Sequence, residues 1–439
     1  MKTVEQINER IRRKEAVVLT AEEVVELARK KSPGEIAREV DVVTTGTFSP
    51  MCSSGAFINF GHTDPPMRME EVTLGGVELY AGLAAVDAYI GATQESKEDK
   101  TFGGAHVIEA LIRGDRLPLK ARGKGTDCYP RKEYEGYVQK KTLKDFFLFN
   151  PRNAYQNYAV AVNGSNGTIY TYMGKILPGF ACATYSTSGE ISPLLKDPEL
   201  RTIGLGTRIF LCGNEGYVAW RGTQFRPPTR TNASGVPVDA AATLSVVGDA
   251  KHMNPRYIRA AYFKNYGVTL FVGIGIPIPI IDEDVAYGVS RPNEEIETEI
   301  KDYSKPEKPV IGFANYAQLQ SGWIDINGKR VRTAPLSSLS MAREIANVLK
   351  SRVLGGTFEL TNPVRRLDDD PPEGVSKGLY ERPYGLGDEK CIQCGACVGL
   401  CAERALTIED GQVSFYRARC NDCGECFDAC PVGVKVPPK

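Results

Sequence analysis

The sequence predicts two domains: a large α+β (mixed α/β) domain over residues 1–360 and a small α+β domain over residues 386–439. Three observations lead there. Short apolar runs bounded by glycine or Asn-Gly turns alternate with segments of helical period through the first 360 residues. Eight of the twelve cysteines crowd into residues 391–430. Between the two regions, residues 361–385 hold Pro363, Asp368, Asp369, Asp370, Pro371, Pro372 and Gly374 without periodicity, which is the composition of a linker.

Taken in order, residues 2–14 place Val4, Ile7 and Ile11 at helical spacing. Thr20 and Glu23 then form a capping box ahead of Val24, Val25, Leu27 and Ala28. Their side chains satisfy backbone N–H groups that the first helical turn leaves without partners. Residues 41–47 and 74–80 read as strands. Residues 102–113 read as a helix with Val107, Ile108, Leu111 and Ile112 on one face. Short strands are expected at 158–162, 167–176, 208–211, 216–220, 243–247 and 269–272, and a helix at 338–349. No internal repeat is visible in this region.

Fifty-four basic and fifty-four acidic residues cancel, so the chain has no general attraction for nucleic acid or anionic lipid. The first thirteen residues are too polar for a secretory signal. The longest apolar stretch, 268–281, is broken by Gly273, Gly275, Pro277 and Pro279. It also falls short of the roughly 20 residues a membrane helix needs. The expectation is a soluble, cytoplasmic protein with no nucleic-acid or membrane partner.

Cys391, Cys394, Cys397 and Cys401 follow the spacing C-x2-C-x2-C-x3-C, and Cys420, Cys423, Cys426 and Cys430 repeat it, with Pro431 after the last. This is the run by which bacterial ferredoxins bind [4Fe–4S] clusters, present twice. Two-residue spacers let three thiolates wrap one corner of a cubane, and the fourth cysteine reaches the other cluster. Cys391, Cys394, Cys397 and Cys430 are thus expected to hold one cluster, and Cys420, Cys423, Cys426 and Cys401 the second. Zinc wants four ligands per site at a different spacing. Ala402 stands where a proline usually follows the fourth cysteine, but that proline shapes a turn and is no ligand. The domain is an electron carrier whose expected client is the domain it is fused to.

Four cysteines remain. Cys52 lies in a loop crowded with Gly, Ser and Pro, where backbone N–H groups approach the sulfur and favour thiolate. Cys128 is flanked by Lys124, Arg131 and Lys132, which favour thiolate by charge, with Asp127 beside it as an acid or base. Cys182 and Cys212 sit in apolar company, as small core residues do. Cys52, Cys128 and one of Cys182 or Cys212 are also a candidate ligand set for a third cluster.

The stretch Gly46–Gly55 with Asn59-Phe60-Gly61-His62, the segment Lys124–Lys132, the run from Gly273 to Ile280 and Thr333-Ala-Pro-Leu-Ser-Ser resemble one family. It is the homocysteine-biosynthesis family of anaerobes and methanogens, the L-aspartate semialdehyde sulfurtransferases, and the likeness spans roughly residues 1–360. The resemblance implies that L-aspartate semialdehyde, a sulfur donor and two electrons give L-homocysteine. It also implies that the cysteines at positions 52 and 128 carry the sulfur. An aldehyde is electrophilic and a thiolate or persulfide suits it as nucleophile. The expected scheme has one of Cys52 and Cys128 bearing a persulfide and the other resolving the linkage, with their roles open.

Arg208, Arg221 and Arg226 are candidates for the substrate carboxylate, which a guanidinium grips in two places. His62 and His106 are candidate proton carriers. No Gly-x-Gly-x-x-Gly follows a convincing strand, so electrons are expected from an external low-potential donor such as ferredoxin. A homo-oligomer is compatible with the sequence. Two rival readings remain: an electron-transfer subunit docking to a partner oxidoreductase, and sulfur insertion into another small carbonyl compound.

Overall fold

A computed structural model describes residues 1–228, 230–367, 384–385, 391–409, 411–416, 419–421 and 423–432. It divides into two compact units, Met1–Pro371 and Pro372–Lys439. Among the described residues no helix is long and apolar enough to cross a membrane.

The larger unit begins as its local chemistry dictates. Helix Val4–Arg12 starts at a Thr3–Gln6 capping box and buries Val4, Ile7 and Ile11. Helix Ala21–Ala28 starts at the expected Thr20–Glu23 box. The expected strand at 74–80 is instead a hairpin: Glu71–Leu74 pairs with Val77–Ala84 across Gly75 and Gly76, both with positive φ. Two consecutive residues with positive φ form the tight turn that matches strand twist.

A sheet of thirteen strands dominates the unit. Its centre runs Arg208–Leu211, Asn214–Arg221, Leu244–Asp249, Asp145–Asn153, Gly55–Asn59 and Asp87–Gly91, all antiparallel neighbours. Strand Thr47–Pro50 pairs with Gly267–Gly275 on the other side of Arg208–Leu211. The long helix Leu339–Leu354 buries Ala342, Ile345, Ala346, Leu349 and Val353. Burial of Ile345, Leu349 and Val353 contributes about 1.5–3 kcal/mol each. The close approach of this helix explains Gly46, where a Cβ would stand 2.1 Å from the Ala342 carbonyl oxygen.

A second sheet of six strands orders Val310–Asn315, Glu297–Asp302, Val160–Val162, Cys182–Tyr185, Lys329–Pro335 and Trp323–Ile326. It has its own core around Val160, Tyr185, Ile300 and Tyr316. Of the expected linker, Thr361 belongs to the larger unit, where its Oγ1 accepts from Arg208 N, and Arg365–Arg366 pairs with Gly204–Leu205. Residues 368–383 and 386–390 of that segment lie outside the described residues.

In the smaller unit, strands Leu406–Glu409 and Gln412–Phe415 form a hairpin, and Tyr384–Gly385 pairs with the second of them. Two short helices, Ala396–Leu400 and Glu425–Asp428, each follow a glycine with positive φ, Gly395 and Gly424. The same local sequence thus folds the same way twice.

Candidate active site and cysteine cradles

Cys52 opens into a cavity of about 270 Å³ in the larger unit, lined by residues of the thirteen-stranded sheet such as Thr47, Ser49, Arg152 and Thr269 and by connecting segments that carry Tyr155, Tyr158, Tyr172 and Ser186. Its loop is pinned from below by one buried amide. Asn150, fully buried, donates from Nδ2 to Ser54 Oγ at 2.8 Å. Its Oδ1 accepts from Ser53 Oγ at 2.9 Å and from Arg152 N at 2.9 Å. Strand pairing is broken by a bulge between Asn150 and Asn153, a device that re-aims side chains beside active sites. Here it belongs to the segment that brings Arg152 to the cavity wall. The glycine after the loop is required by packing, since a Cβ on Gly55 would stand 2.7 Å from the Ile90 carbonyl oxygen.

The wall opposite is tyrosine-rich, with Tyr155, Tyr158, Tyr172 and Tyr266. Burial, then the charge and hydrogen bond of Cys52, push Tyr266 up to about 12, so its phenol keeps its proton beside the sulfur. Thr47, Ser49, Thr187 and Thr269 supply hydroxyls. Thr269 is 1 % exposed, and its Oγ1 has no hydrogen-bond partner among the described residues. Ala154 and Gln224, also in the wall, hold φ values of 50° and 63°. Such strain in non-glycine residues persists where the surroundings over-determine it, and it collects at functional sites.

Cys128 is elsewhere. It is exposed in the loop joining Leu117–Arg122 to Glu133–Val138. That loop stacks Tyr129 on His62, ring centroids 6.0 Å apart, beyond the far end of strand Gly55–Asn59. Cys52 precedes the near end, and five residues of strand at a rise of ~3.4 Å span about 14 Å. The structure therefore does not bring the two cysteines together. The cations expected around Cys128 are engaged otherwise: Lys124 lies 3.6 Å from Glu70, and Arg131 donates to the Asp64 carbonyl at 2.6 Å. Asp127 and His62 are exposed and absent from the cavity wall. His106 caps its own helix, its Nδ1 accepting from Gly103 N at 3.2 Å, and burial lowers its pKa.

The three expected arginines do not line the cavity either. Arg208 lies 3.7 Å from Glu215 and under 6 Å from the Phe358 ring. Arg226 pairs with buried Asp239 at 2.8 Å. Arg221 lines a separate groove with Trp220 and Arg365. The arginine in the cavity wall is Arg152. A signal for it exists in the chain: Asn150, Asn153, Gln156 and Asn157 put four fully buried amides into one short segment, a density that a plain strand does not need.

The third-cluster expectation fails on placement. Cys212 is fully buried in the main core, where burial pushes its thiol up to about 12. Cys182 packs in a satellite core, its Sγ accepting from Leu177 N at 3.2 Å. Cys52 faces the cavity and Cys128 faces solvent, so no three of these meet.

The eight clustered cysteines do meet, in two cradles. Cys391, Cys394, Cys397 and Cys430 line one, with Pro431 and Val413. Cys401, Cys420, Cys423 and Cys426 line the other, with Leu406 and Phe415. Each fourth cysteine has crossed to the other repeat's cradle. Among the described residues no three donors are close enough for a single metal ion, whereas four thiols around each hollow suit a larger cubane. Burial, with Cys391, Cys394 and Cys430 adding, pushes the Cys397 thiol up. Ala405 N donates to Cys401 Sγ at 3.2 Å, the kind of contact that tunes cluster potential.

Comparison with known proteins bears on both units. Residues 16–360 match the family described as homocysteine biosynthesis enzyme, sulfur-incorporation. Residues 390–434 match the 4Fe-4S dicluster domain. An L-aspartate semialdehyde sulfurtransferase of Methanocaldococcus jannaschii is 48% identical over 84% of this chain and 73% of its own. One from Methanosarcina acetivorans is 46% identical over 87% of this chain and 74% of its own. A ferredoxin of Pyrobaculum islandicum is 39% identical over 12% of this chain and 50% of its own. No solved structure matches the chain.

Proposed function

The chain belongs to the homocysteine biosynthesis family and is a sulfurtransferase, and from that premise we propose that it converts L-aspartate semialdehyde to L-homocysteine in the Cys52 cavity. The observation that carries this is the shared Asn150 clamp, which ties the Cys52 loop and Arg152 to one cavity of small-metabolite size.

Each wall group has a task in that reading. Cys52 takes the incoming sulfur from a sulfane-sulfur donor, its thiolate forming a persulfide as the rest of the donor leaves as thiolate or sulfide, and presents it to the aldehyde carbon. Arg152 holds the substrate carboxylate. The hydroxyls of Thr47, Ser49 and Thr269 accept from its ammonium, which gives Thr269 Oγ1 the partner it lacks. Replacing the aldehyde oxygen with sulfide sulfur consumes two electrons and two protons and releases water. Sulfur arriving as persulfide is two electrons more oxidised and raises the demand to four. Two [4Fe–4S] clusters, held by Cys391, Cys394, Cys397 and Cys430 and by Cys420, Cys423, Cys426 and Cys401, would supply electrons one at a time at low potential. An external low-potential donor such as ferredoxin would refill them. Cys128, on its surface loop, takes no part in the step at the aldehyde carbon, which assigns the sulfur-bearing role to Cys52 alone.

An anaerobic assay of the iron-loaded full chain tests this, with aspartate semialdehyde, polysulfide and a low-potential reductant. Homocysteine is expected from the wild type and not from Cys52→Ala. A Cys52→Ala enzyme that turns over at the wild-type rate overturns it.

A further inference from the structure

The tyrosine wall of the Cys52 cavity is wired to a lysine that the cavity does not expose. Tyr172 sits at the tip of the hairpin of strands Ile169–Thr171 and Gly174–Ile176 and lines the cavity. Its hydroxyl accepts from Tyr158 Oη at 3.1 Å and from Lys308 Nζ at 3.1 Å. Its own proton goes to Tyr303 Oη at 3.3 Å, the longest of the three contacts. Lys308 is held in place by more than this bond. Its ammonium lies 5.1 Å from the Tyr172 ring centroid and 4.7 Å from that of Tyr303. Its backbone has φ 46°, a left-handed conformation tied by its N–H to the Lys305 carbonyl. On the sulfur side, the Tyr172 ring meets Tyr266 edge-on at 6.3 Å, and Tyr266 is the phenol bonded to Cys52.

We propose that Tyr172 is the catalytic acid of this cavity, giving its proton to the carbonyl oxygen as sulfur on Cys52 adds to the aldehyde, with Lys308, Tyr158 and Tyr303 as positioning residues. The proposal rests on the reading of the preceding subsection. In the step, a sulfur lone pair forms the S–C bond and the carbonyl π pair moves to oxygen. That oxygen takes the Tyr172 proton and becomes the hydroxyl of a thiohemiacetal. No electron is gained or lost. The phenolate left behind keeps its bonds from Tyr158 and Lys308 and gains one from Tyr303, whose hydroxyl turns round. It is reprotonated from solvent before the hydroxyl departs as water.

The neighbours sort the tyrosines by role. Burial opposes ionisation of Tyr172, but the bonds with Tyr158, Tyr303 and Lys308 outweigh it and bring Tyr172 below the usual phenol value. Burial pushes Tyr158 and Tyr303 well above it. One phenol in the cluster is thus prepared to release a proton while its two partners retain theirs. The other titratable groups felt around the cluster are Tyr155, Tyr266, Cys52, Arg152 and Lys301, the last paired with Glu299.

The test uses iron-loaded full-length enzyme and two readouts: homocysteine formation from pH 6 to 10 with polysulfide as sulfur donor, and transfer of sulfane sulfur from polysulfide to Cys52 measured by alkylation and mass. Tyr172→Phe is expected to lower kcat by about 10²–10⁴-fold, with KM for the aldehyde within about threefold and polysulfide loading of Cys52 intact. Lys308→Met removes the cation, raises the pKa of Tyr172 and moves the alkaline limb of kcat to higher pH, with a lower plateau. Lys308→Arg restores the limb. Normal Cys52 loading shows that each variant has folded. A Tyr172→Phe enzyme with turnover within threefold of wild type and an unchanged pH profile overturns the proposal alone. Absence of homocysteine formation by the wild type overturns the preceding reading and this one with it.

Discussion

The cysteine cradles draw every thiol from residues 391–430, whereas the Cys52 cavity gathers side chains from Thr47 to Thr269. The small core between the cradles consists of Ala405, Leu406, Val413 and Phe415, packed on the cysteines themselves. The cavity draws on a sheet with an extensive core of its own and on the segments packed around it. A cubane brings its own geometry, so the protein needs only the right number of thiols on a short flexible run. A small aldehyde brings none, so the protein must build the geometry, and rigid elements distant in sequence do that better than one loop.

Disturbing each region should therefore have opposite signatures. The largest effect is expected at the cavity: Cys52→Ser should lower homocysteine formation by at least about 10³-fold while leaving cluster absorbance and the melting of the larger unit unchanged. Next comes removal of iron. With so few core residues, the smaller unit should open on chelation, seen as fast amide exchange through residues 391–432, while residues 1–367 keep their protection. Equal protection of both units in the apo-protein would break the comparison. Arg152→Leu should raise KM for the semialdehyde by about 10–100-fold, the size of a lost charge-assisted hydrogen-bond pair, with kcat within about fivefold.

A smaller effect tests how the larger unit carries its own polar load. Lys196 is fully buried, its Nζ donating to the Val289 and Arg291 carbonyls at 2.8 and 2.7 Å. Those two bonds are the number a neutral amine makes. Burial lowers its pKa to about 7, against about 10.4 in an unfolded chain. Between these values the unfolded chain binds the extra proton, so stability rises with pH from 7 towards 10. The melting temperature of the larger unit should climb by about 2–4 °C between pH 7 and 9, and Lys196→Met should flatten that slope. Least of all, Cys128→Ala should leave turnover with polysulfide within about twofold. A larger loss would mean that the exposed loop reaches the chemistry.

Legibility followed the range of the interaction. The Thr20–Glu23 box was readable because its partners are three residues apart, and so was the cysteine repeat, crossing included. The turn at Gly75-Gly76 was also local, but the apolar run around it concealed it in a single expected strand. Arg208, Arg221 and Arg226 looked as suitable for a carboxylate as Arg152, because charge type does not reveal direction. Only the bulge at Asn150–Asn153 and the pairing of the other arginines separated them.

By itself the amino-acid order determined that eight thiols form two crossed sets, that helices start at particular hydroxyls, and that Cys52 sits in a tight loop of small residues. Each of these depends on neighbours a few bonds away. Tertiary structure alone decided that Cys52 faces a cavity while Cys128 faces solvent, and that a lysine at 308 reaches a tyrosine at 172. Those outcomes depend on how strands remote in the chain come to lie side by side, and the sheet register that sets it is fixed by burial of whole faces, not by any one residue.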